Sequence, residues 1–400
     1  MVGLDQPLRL HPLTYLDEGD EVTAGRADIN SFGLFPADGA ALLRRLEAGS
    51  PPREAALWYS AEYGEQVDMG EFLEILGDLD LILRDGEVPA TATVGWQRLG
   101  RALFSAPAWA GYAVLTVAAA VAMIGHPYLR PTYDHLFFTR SSLLILSLGI
   151  VFGQLPLQLL HEAFHALAGR RLGLSSTLRV GHRFIYVVFE TSLDGLVAVP
   201  RRQRYLPMLA GMLLDVLALA GLTLGAAALH PASPAASGAA ALCYRFLLSM
   251  AFGVVLRFAW QFYFFLRTDL YYLATTVLGC NDLQSAARQV LWNRLWRLLH
   301  RPARLADETA WTPRDRAAAR WYSWLMLAGY GLLLVIVATV MVPTAVRLTV
   351  QAVHELAAAS SPLRVADVLA FLALNFWQPV VAAALAIRGL AARYRSPRPA

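Results

Sequence analysis

The stretch Leu143-Leu-Ile-Leu-Ser-Leu-Gly-Ile-Val-Phe-Gly-Gln-Leu-Pro-Leu-Gln-Leu-Leu160, followed without a break by His161-Glu162-Ala163-Phe164-His165, decides how the rest of the chain is read. From Leu143 to Leu160 it carries no charged side chain, and the apolar segment ends only at Gly169, Arg170 and Arg171. A bilayer is crossed by about 20 such residues. Histidines at i and i+4 fall on one face of a helix, so both can ligate one metal while Glu162 stands beside them as a general base. A surface histidine pair, the plain reading of this motif in a soluble helix, fits poorly here. Two imidazoles and a carboxylate in hydrocarbon cost several kcal/mol, on the order of 5, unless they have partners, which makes intramembrane ionisable groups functional by default.

Composition agrees with a membrane location. The 400 residues are 56% hydrophobic and 16% charged, the profile of a multi-span protein. Charge is unevenly spread. Residues 1–95 hold eighteen Asp or Glu against six Arg, a net of −12; the remainder hold twelve against twenty-eight, a net of +16, and together these give the formal +4. An acidic soluble domain followed by a basic membrane domain is expected. All 34 basic residues are Arg, which with the Ala-rich composition suggests a GC-rich bacterial genome. Cys243 and Cys280 form neither a disulfide framework nor C-x-x-C spacing. Met1 to Asp20 lacks a positive-then-apolar signal pattern, so the first domain is expected in the cytosol.

Six spans are expected, at about 106–125, 142–168, 205–229, 240–268, 321–342 and 366–387. Arginines cluster before the first, between the second and third, between the fourth and fifth, and after the sixth. The opposite loops carry only Arg130, Arg140, Arg347 and Arg364. Both termini are therefore expected in the cytoplasm, with the H-E-x-x-H toward the cytosolic end of its helix. Thr177 to Phe189 is rich in β-branched and aromatic residues, reads as strands, and could hold an extended substrate by main-chain bonds at its edge. Asn281 to His300 reads either as an amphipathic helix on the cytosolic membrane surface or as a helix packed on the bundle. The expected segments are 1–95, a four-span core at 96–279, a cytosolic amphipathic segment at 280–320 and two C-terminal spans with a basic tail at 321–400.

In the first domain, His11–Leu16, Glu21–Ala24 and Asp28–Phe32 are strand candidates. Pro36–Leu46, Pro51–Tyr63 and Met69–Leu79 are helical, the second with Ser50 as N-cap, and Asp80–Arg84 closes as a strand. This α+β pattern is winged-helix-like. Its net charge of −12 argues against the use of that fold for DNA, which rests on neutralising phosphates, so no nucleic-acid partner is expected.

A hydrolytic zinc site needs a third protein ligand and an open position for water. Asp194, in Leu193-Asp194-Gly195, and Asp269, in Thr268-Asp269-Leu270-Tyr271-Tyr272, both qualify. Asp269 is preferred because it ends a long apolar run, where a carboxylate needs a partner, whereas Asp-Gly near an aqueous boundary is commonly a turn. The second nitrogen of each imidazole must also be held, with Gln154 and Gln158 as candidates. Asp215 and Arg257 read as a buried pair closing the bundle.

Residues 100–390 resemble the site-2 protease family of intramembrane zinc metalloproteases, in particular the branch found with ribosomally made, modified peptides. That branch pairs H-E-x-x-H with Asn-x-x-Pro-x-x-x-x-Asp-Gly-Tyr-Tyr. Here the second motif runs from Gln261 to Tyr272: Asp269, Tyr271 and Tyr272 match, while Gln261, Phe264 and Leu270 stand for Asn, Pro and Gly. The resemblance implies zinc held by His161, His165 and Asp269, with Glu162 as base, and substrate contacts from Gln261, Tyr271 and Tyr186. The first domain resembles the PqqD-like domain that binds leader peptides, on its element pattern and the Asp28-Ile29-Asn30-Ser31-Phe32 turn. That implies a groove between Asp28–Phe32 and Met69–Leu79 and a precursor peptide as partner. The implied activity is leader removal in a bacterial cell membrane, among membrane lipids. Cleavage of a membrane-bound anti-sigma factor is the rival within the class, although no loop has room for the usual PDZ domain. A non-proteolytic export or immunity component is the rival outside it.

Overall fold

In the computed structural model, residues 4–375 are described apart from 19–20, 30, 85–86, 88–93, 140–141, 184–185, 194, 232–237, 281, 309–310 and 359–360. Asp194, Asn30 and the second half of the expected sixth span lie outside the described residues. Contacts divide the chain into two compact units. One comprises Met1–Ala108, Glu162–Arg179 and Glu190–Ala210, and the other comprises Trp109–His161, Val180–Phe189 and Gly211–Ala400. The first therefore runs past the expected limit at residue 95 and takes in segments of the membrane core.

That first unit opens with an antiparallel meander, β1 (Thr14–Glu18), β2 (Glu21–Arg26) and β3 (Ser31–Pro36), in the order β1-β2-β3. β1 starts three residues later than expected. His11 is instead spent on a bridge with the end of the domain, where the His11 amide donates to Leu81 at 3.0 Å and the Leu83 amide to Arg9 at 2.8 Å. The third strand is displaced from Asp28–Phe32 to Ser31–Pro36. The Asp28 carboxylate grips the Arg26 guanidinium at 2.7 and 3.1 Å and makes residues 27–29 a turn, while Arg26 also donates to the Asp80 carbonyl. The Arg26 hydrogen bonds, ahead of any other influence, hold the Asp28 carboxyl below the usual carboxylate range.

Three helices follow, α1 (Ala37–Glu47), α2 (Pro52–Tyr63) and α3 (Met69–Asp78). α2 is capped by Pro51 rather than by the expected Ser50, and no side chain bonds its first turn; Pro51 and Pro52 supply helical φ without a donor to satisfy. Asp68 caps α3 through the Glu71 amide at 3.1 Å. Leu42, Leu43, Leu46, Leu76 and Leu81 are fully buried against Val22, Ala24 and Phe35. Beyond α4 (Gln97–Leu103), the same unit contains a 3₁₀ turn at Leu196–Ala198 lying against β1 and β2, with Gly195 at φ +78 beside Ala27 and Phe32. Arg204 ties this turn to the next helix through the Val197 and Val199 carbonyls at 2.8 and 2.5 Å.

Among the described residues, five helices are long and apolar enough to cross a membrane. They are α5 (Ala106–Gly125), α6 (Leu143–Arg171), α7 (Arg201–Ala228), α8 (Ala239–Trp260) and the stretch Pro313–Thr339. Only 6% of the apolar windows of α5 and α6 is buried, and side chains such as Val114, Val121, Ile145 and Phe152 point outward. Contiguous apolar surface of this extent is stable only against lipid or a partner, so this is a helical membrane protein. Between α6 and α7 lie β4 (Ser176–Arg183) and β5 (Tyr186–Leu193), a two-stranded sheet where strands were expected.

α8 stops at Trp260, eight residues short of the expected end at 268. A 3₁₀ turn at Phe264–Leu266 and the left-handed Arg267 (φ +56) lead into α9 (Asp269–Leu278). α10 (Leu283–Leu298) buries Ala286, Ala287 and Val290 against α11 (Pro313–Ile336), as the packed-helix reading expects, while Trp292, Leu295 and Leu298 stay exposed. α11 passes through a five-residue π turn at Val337–Met341 into α12 (Val342–Ala357). Pro343 has no amide to give the Thr339 carbonyl, which accounts for the wide turn. Residues 362–375 are helical and overlap the first part of the stretch expected as a sixth span, whose remainder lies outside the described residues.

Candidate metal centre

His161 and His165 lie one turn apart on α6, 2% and 5% exposed, and Glu162 between them is equally buried. Each imidazole is fixed by an acceptor. His161 Nδ1 donates to Asp215 Oδ2 on α7 at 3.1 Å, and His165 Nδ1 donates to the Pro207 carbonyl, also on α7, at 2.7 Å. The Pro207 carbonyl cannot donate, so in His165 the proton sits on Nδ1 and Nε2 keeps its lone pair, whereas His161 has a carboxylate at each of its nitrogens. The sequence reading gave this role to Gln154 or Gln158. Gln154 instead accepts from Arg257 at 3.2 Å and donates to the Met250 carbonyl at 3.0 Å.

Asp215 is fully buried and does two things. Its Oδ1 accepts from Arg257 Nε and Nη2 at 2.9 and 2.6 Å, the expected ion pair, while its Oδ2 holds His161. Glycine at 253 makes room for this chain, because a Cβ there would collide with the Gln154 amide. The network Met250–Gln154–Arg257–Asp215–His161 thus fixes one imidazole from two further helices. A carboxylate behind a histidine orients the ring and raises its basicity toward a metal.

Asp269 begins α9, and its Oδ2 stands 3.2 Å from His161 Nε2. Ligand atoms of His161, His165 and Asp269 all lie within 4.8 Å of one another, a group that could hold a metal ion. The donor chemistry fits. A cation between His161 Nε2 and the Asp269 carboxylate would take the place of the hydrogen bond that those two atoms share. Two imidazoles and a carboxylate suit a first-row divalent ion.

Glu162 is bonded by Thr191 of β5. The Thr191 amide and hydroxyl both donate to its Oε2, at 2.9 and 2.8 Å, and the same hydroxyl donates to its backbone carbonyl at 3.0 Å. Two donors from one residue thereby orient the carboxylate. The remaining sequence candidates are placed differently. Gln261 bonds Asp269, donating from Nε2 to Oδ2 at 2.9 Å and accepting from the Asp269 amide at 3.1 Å. Tyr271 is buried in the α9–α10–α11 cluster, where its hydroxyl accepts from the Gln284 amide at 3.1 Å. Tyr186 lies on β5.

Asp215 carried a signal, since an acid in an apolar span demands a partner, but the sequence supplied only Arg257 and not the second bond to His161. Thr191 carried none: a threonine at the end of a β-rich run is ordinary. No protein-family model, curated protein or solved structure matches the chain.

Proposed function

We propose that this protein is an intramembrane zinc metalloprotease that hydrolyses a peptide bond to remove the leader from a ribosomally made, modified peptide precursor. The observation that carries the reading is the convergence of His161, His165 and Asp269 within 4.8 Å, with Glu162 in the same helical turn. Zinc, when bound by two imidazoles and a carboxylate, supplies Lewis acidity that acidifies water and polarises a substrate carbonyl. The chain's own residues do the rest. Glu162, oriented by Thr191, takes a proton on its carboxylate and returns it to the leaving amine. Asp215 and the Pro207 carbonyl keep both imidazoles in the tautomer that a metal needs. The apolar helices keep bulk water from the surrounding protein.

The N-terminal domain serves as the recognition element for the leader. β3 is an edge strand with Leu34 exposed, and Ile75 is exposed on α3, a combination suited to an extended peptide that adds to the sheet. Tethering raises the local concentration of the cleavage site to roughly millimolar for a short link. On this reading the protein sits in a bacterial cell membrane, and the arginine distribution supports an orientation with both termini cytoplasmic.

The experiment is co-expression or co-purification with the precursor from the neighbouring gene, followed by mass spectrometry of the peptide. Wild-type protein is expected to release the leader, and Glu162→Gln is expected to leave the precursor intact. Equal leader removal by both ends the protease reading.

A further inference from the structure

Gln261 was expected to touch substrate, yet both ends of its amide are engaged by a single residue. Its Nε2 donates to Asp269 Oδ2 at 2.9 Å, and its Oε1 accepts the Asp269 amide at 3.1 Å. That amide belongs to the first turn of α9, where helix donors lack an intrahelical acceptor. Backbone closes the loop from the other side, because the Thr268 hydroxyl donates to the Gln261 carbonyl at 2.6 Å. The segment between them holds only the short 3₁₀ turn at Phe264–Leu266 and bends through the left-handed Arg267 before α9 begins at Asp269. Gln261 is 7% exposed and Thr268 1%, which shields these bonds from competing water. The carboxylate oxygen that Gln261 holds is the same oxygen that faces His161 Nε2 at 3.2 Å.

We infer that Gln261 is a positioning residue that presents the Asp269 carboxylate to the metal, with Thr268 locking the turn that leads into it. This rests on the metal reading of His161, His165 and Asp269. A ligand at the first residue of a short helix would otherwise lose side-chain freedom each time metal binds; the two amide bonds remove that freedom beforehand.

The test is zinc affinity of the full-length protein in detergent, measured by chelator competition for wild type, Gln261→Ala, Asp269→Ala and the double variant. Gln261→Ala is expected to weaken zinc about 10- to 100-fold, as loss of an outer partner does elsewhere. In the Asp269→Ala background the same change is expected to do nothing further, because Gln261 acts only through that carboxylate. Unchanged affinity in Gln261→Ala, or an equal loss in both backgrounds, overturns the inference while leaving the metal site standing. Wild-type protein that binds zinc no better than His161→Ala/His165→Ala overturns the metal reading and this one with it. Should Gln261→Ala not fold, Gln261→Glu keeps the volume and the acceptor but loses the donor, and the same double-variant comparison decides. A merely structural Gln261 would lower zinc affinity equally with and without Asp269.

Discussion

At the scale of the residue, the decisive group outside the ligand set is Asp215, which has no contact with water and divides its two oxygens between Arg257 and His161. Asp215→Ala leaves a buried guanidinium uncompensated, a loss of about 3–5 kcal/mol in comparable buried pairs. It also releases the His161 ring. Replacing both partners, Asp215→Leu with Arg257→Met, is expected to recover the detergent unfolding temperature but not zinc affinity, which stays about 10- to 100-fold below wild type. Chelator competition beside a thermal melt separates the two effects, and joint recovery of stability and affinity would show that Asp215 only closes the bundle. Residues of this kind mark the limit of what sequence shows. The H-E-x-x-H was legible because helical periodicity alone puts both histidines on one face, and Asp269 because an acid beside an apolar run needs a reason. Thr191 was not, since its bonds to Glu162 depend on where a hairpin lands after folding.

At the scale of the element, the helix that carries the motif is held at its far end by a residue more than two hundred positions away. The Asp367 carboxylate accepts from the Ser142 hydroxyl and, at 3.2 Å, from the Leu143 amide, supplying an acceptor to the first turn of α6. Asp367→Ala is expected to cost about 1 kcal/mol, the usual worth of a helix cap, with Asp367→Asn costing less. The midpoint of thermal unfolding in detergent reads this directly; equal midpoints for Asp367→Ala and wild type would show that the cap contributes nothing. Elements were legible where hydropathy repeats over many residues, as in α5, α6 and α7. They were misjudged where one side chain overrides local propensity. Nothing in the composition of 261–268 says helix should stop, yet α8 ends at Trp260 because Thr268 and Asp269 bond back to Gln261. Likewise β3 began later than expected because Asp28 closes on Arg26.

For the molecule as a whole, the acidic domain before the spans carries its own dependence on pH. The Arg26 hydrogen bonds hold the Asp28 carboxyl low, and the Tyr59 hydroxyl does the same for Asp38, while that bond and burial push Tyr59 up to about 12. Stability from the two depressed carboxyls is present above the ordinary carboxylate value of about 4 and is lost as pH falls below it. Stability from Tyr59 is present below the ordinary tyrosine value of about 10 and fades as pH rises toward about 12. Limited proteolysis within residues 4–84 of the full-length protein is expected to stay slow between those limits and to quicken on both sides. Asp28→Asn and Asp38→Asn should flatten the acid side, and an unchanged acid side would assign it to other groups. The division between acidic and basic halves was plain from charge alone, and among the described residues helices long and apolar enough to cross a membrane stand at five of the six expected places. What charge could not show is that the compact unit containing this domain extends to Ala108 and includes Leu196–Ala198, because packing between distant segments leaves no period in the sequence. The π turn at Val337–Met341 bears on how this architecture tolerates changes in length. An α-helix with one residue inserted can absorb it in such a turn and keep both flanks in register. Shortening Val337–Met341 by one residue would therefore leave the faces of α11 and α12 where they are, whereas the same deletion within either helix would swing the Ala352 side of α12 by roughly 100° away from Val368 and Phe371. Length variation along this rod is thus channelled to one five-residue window.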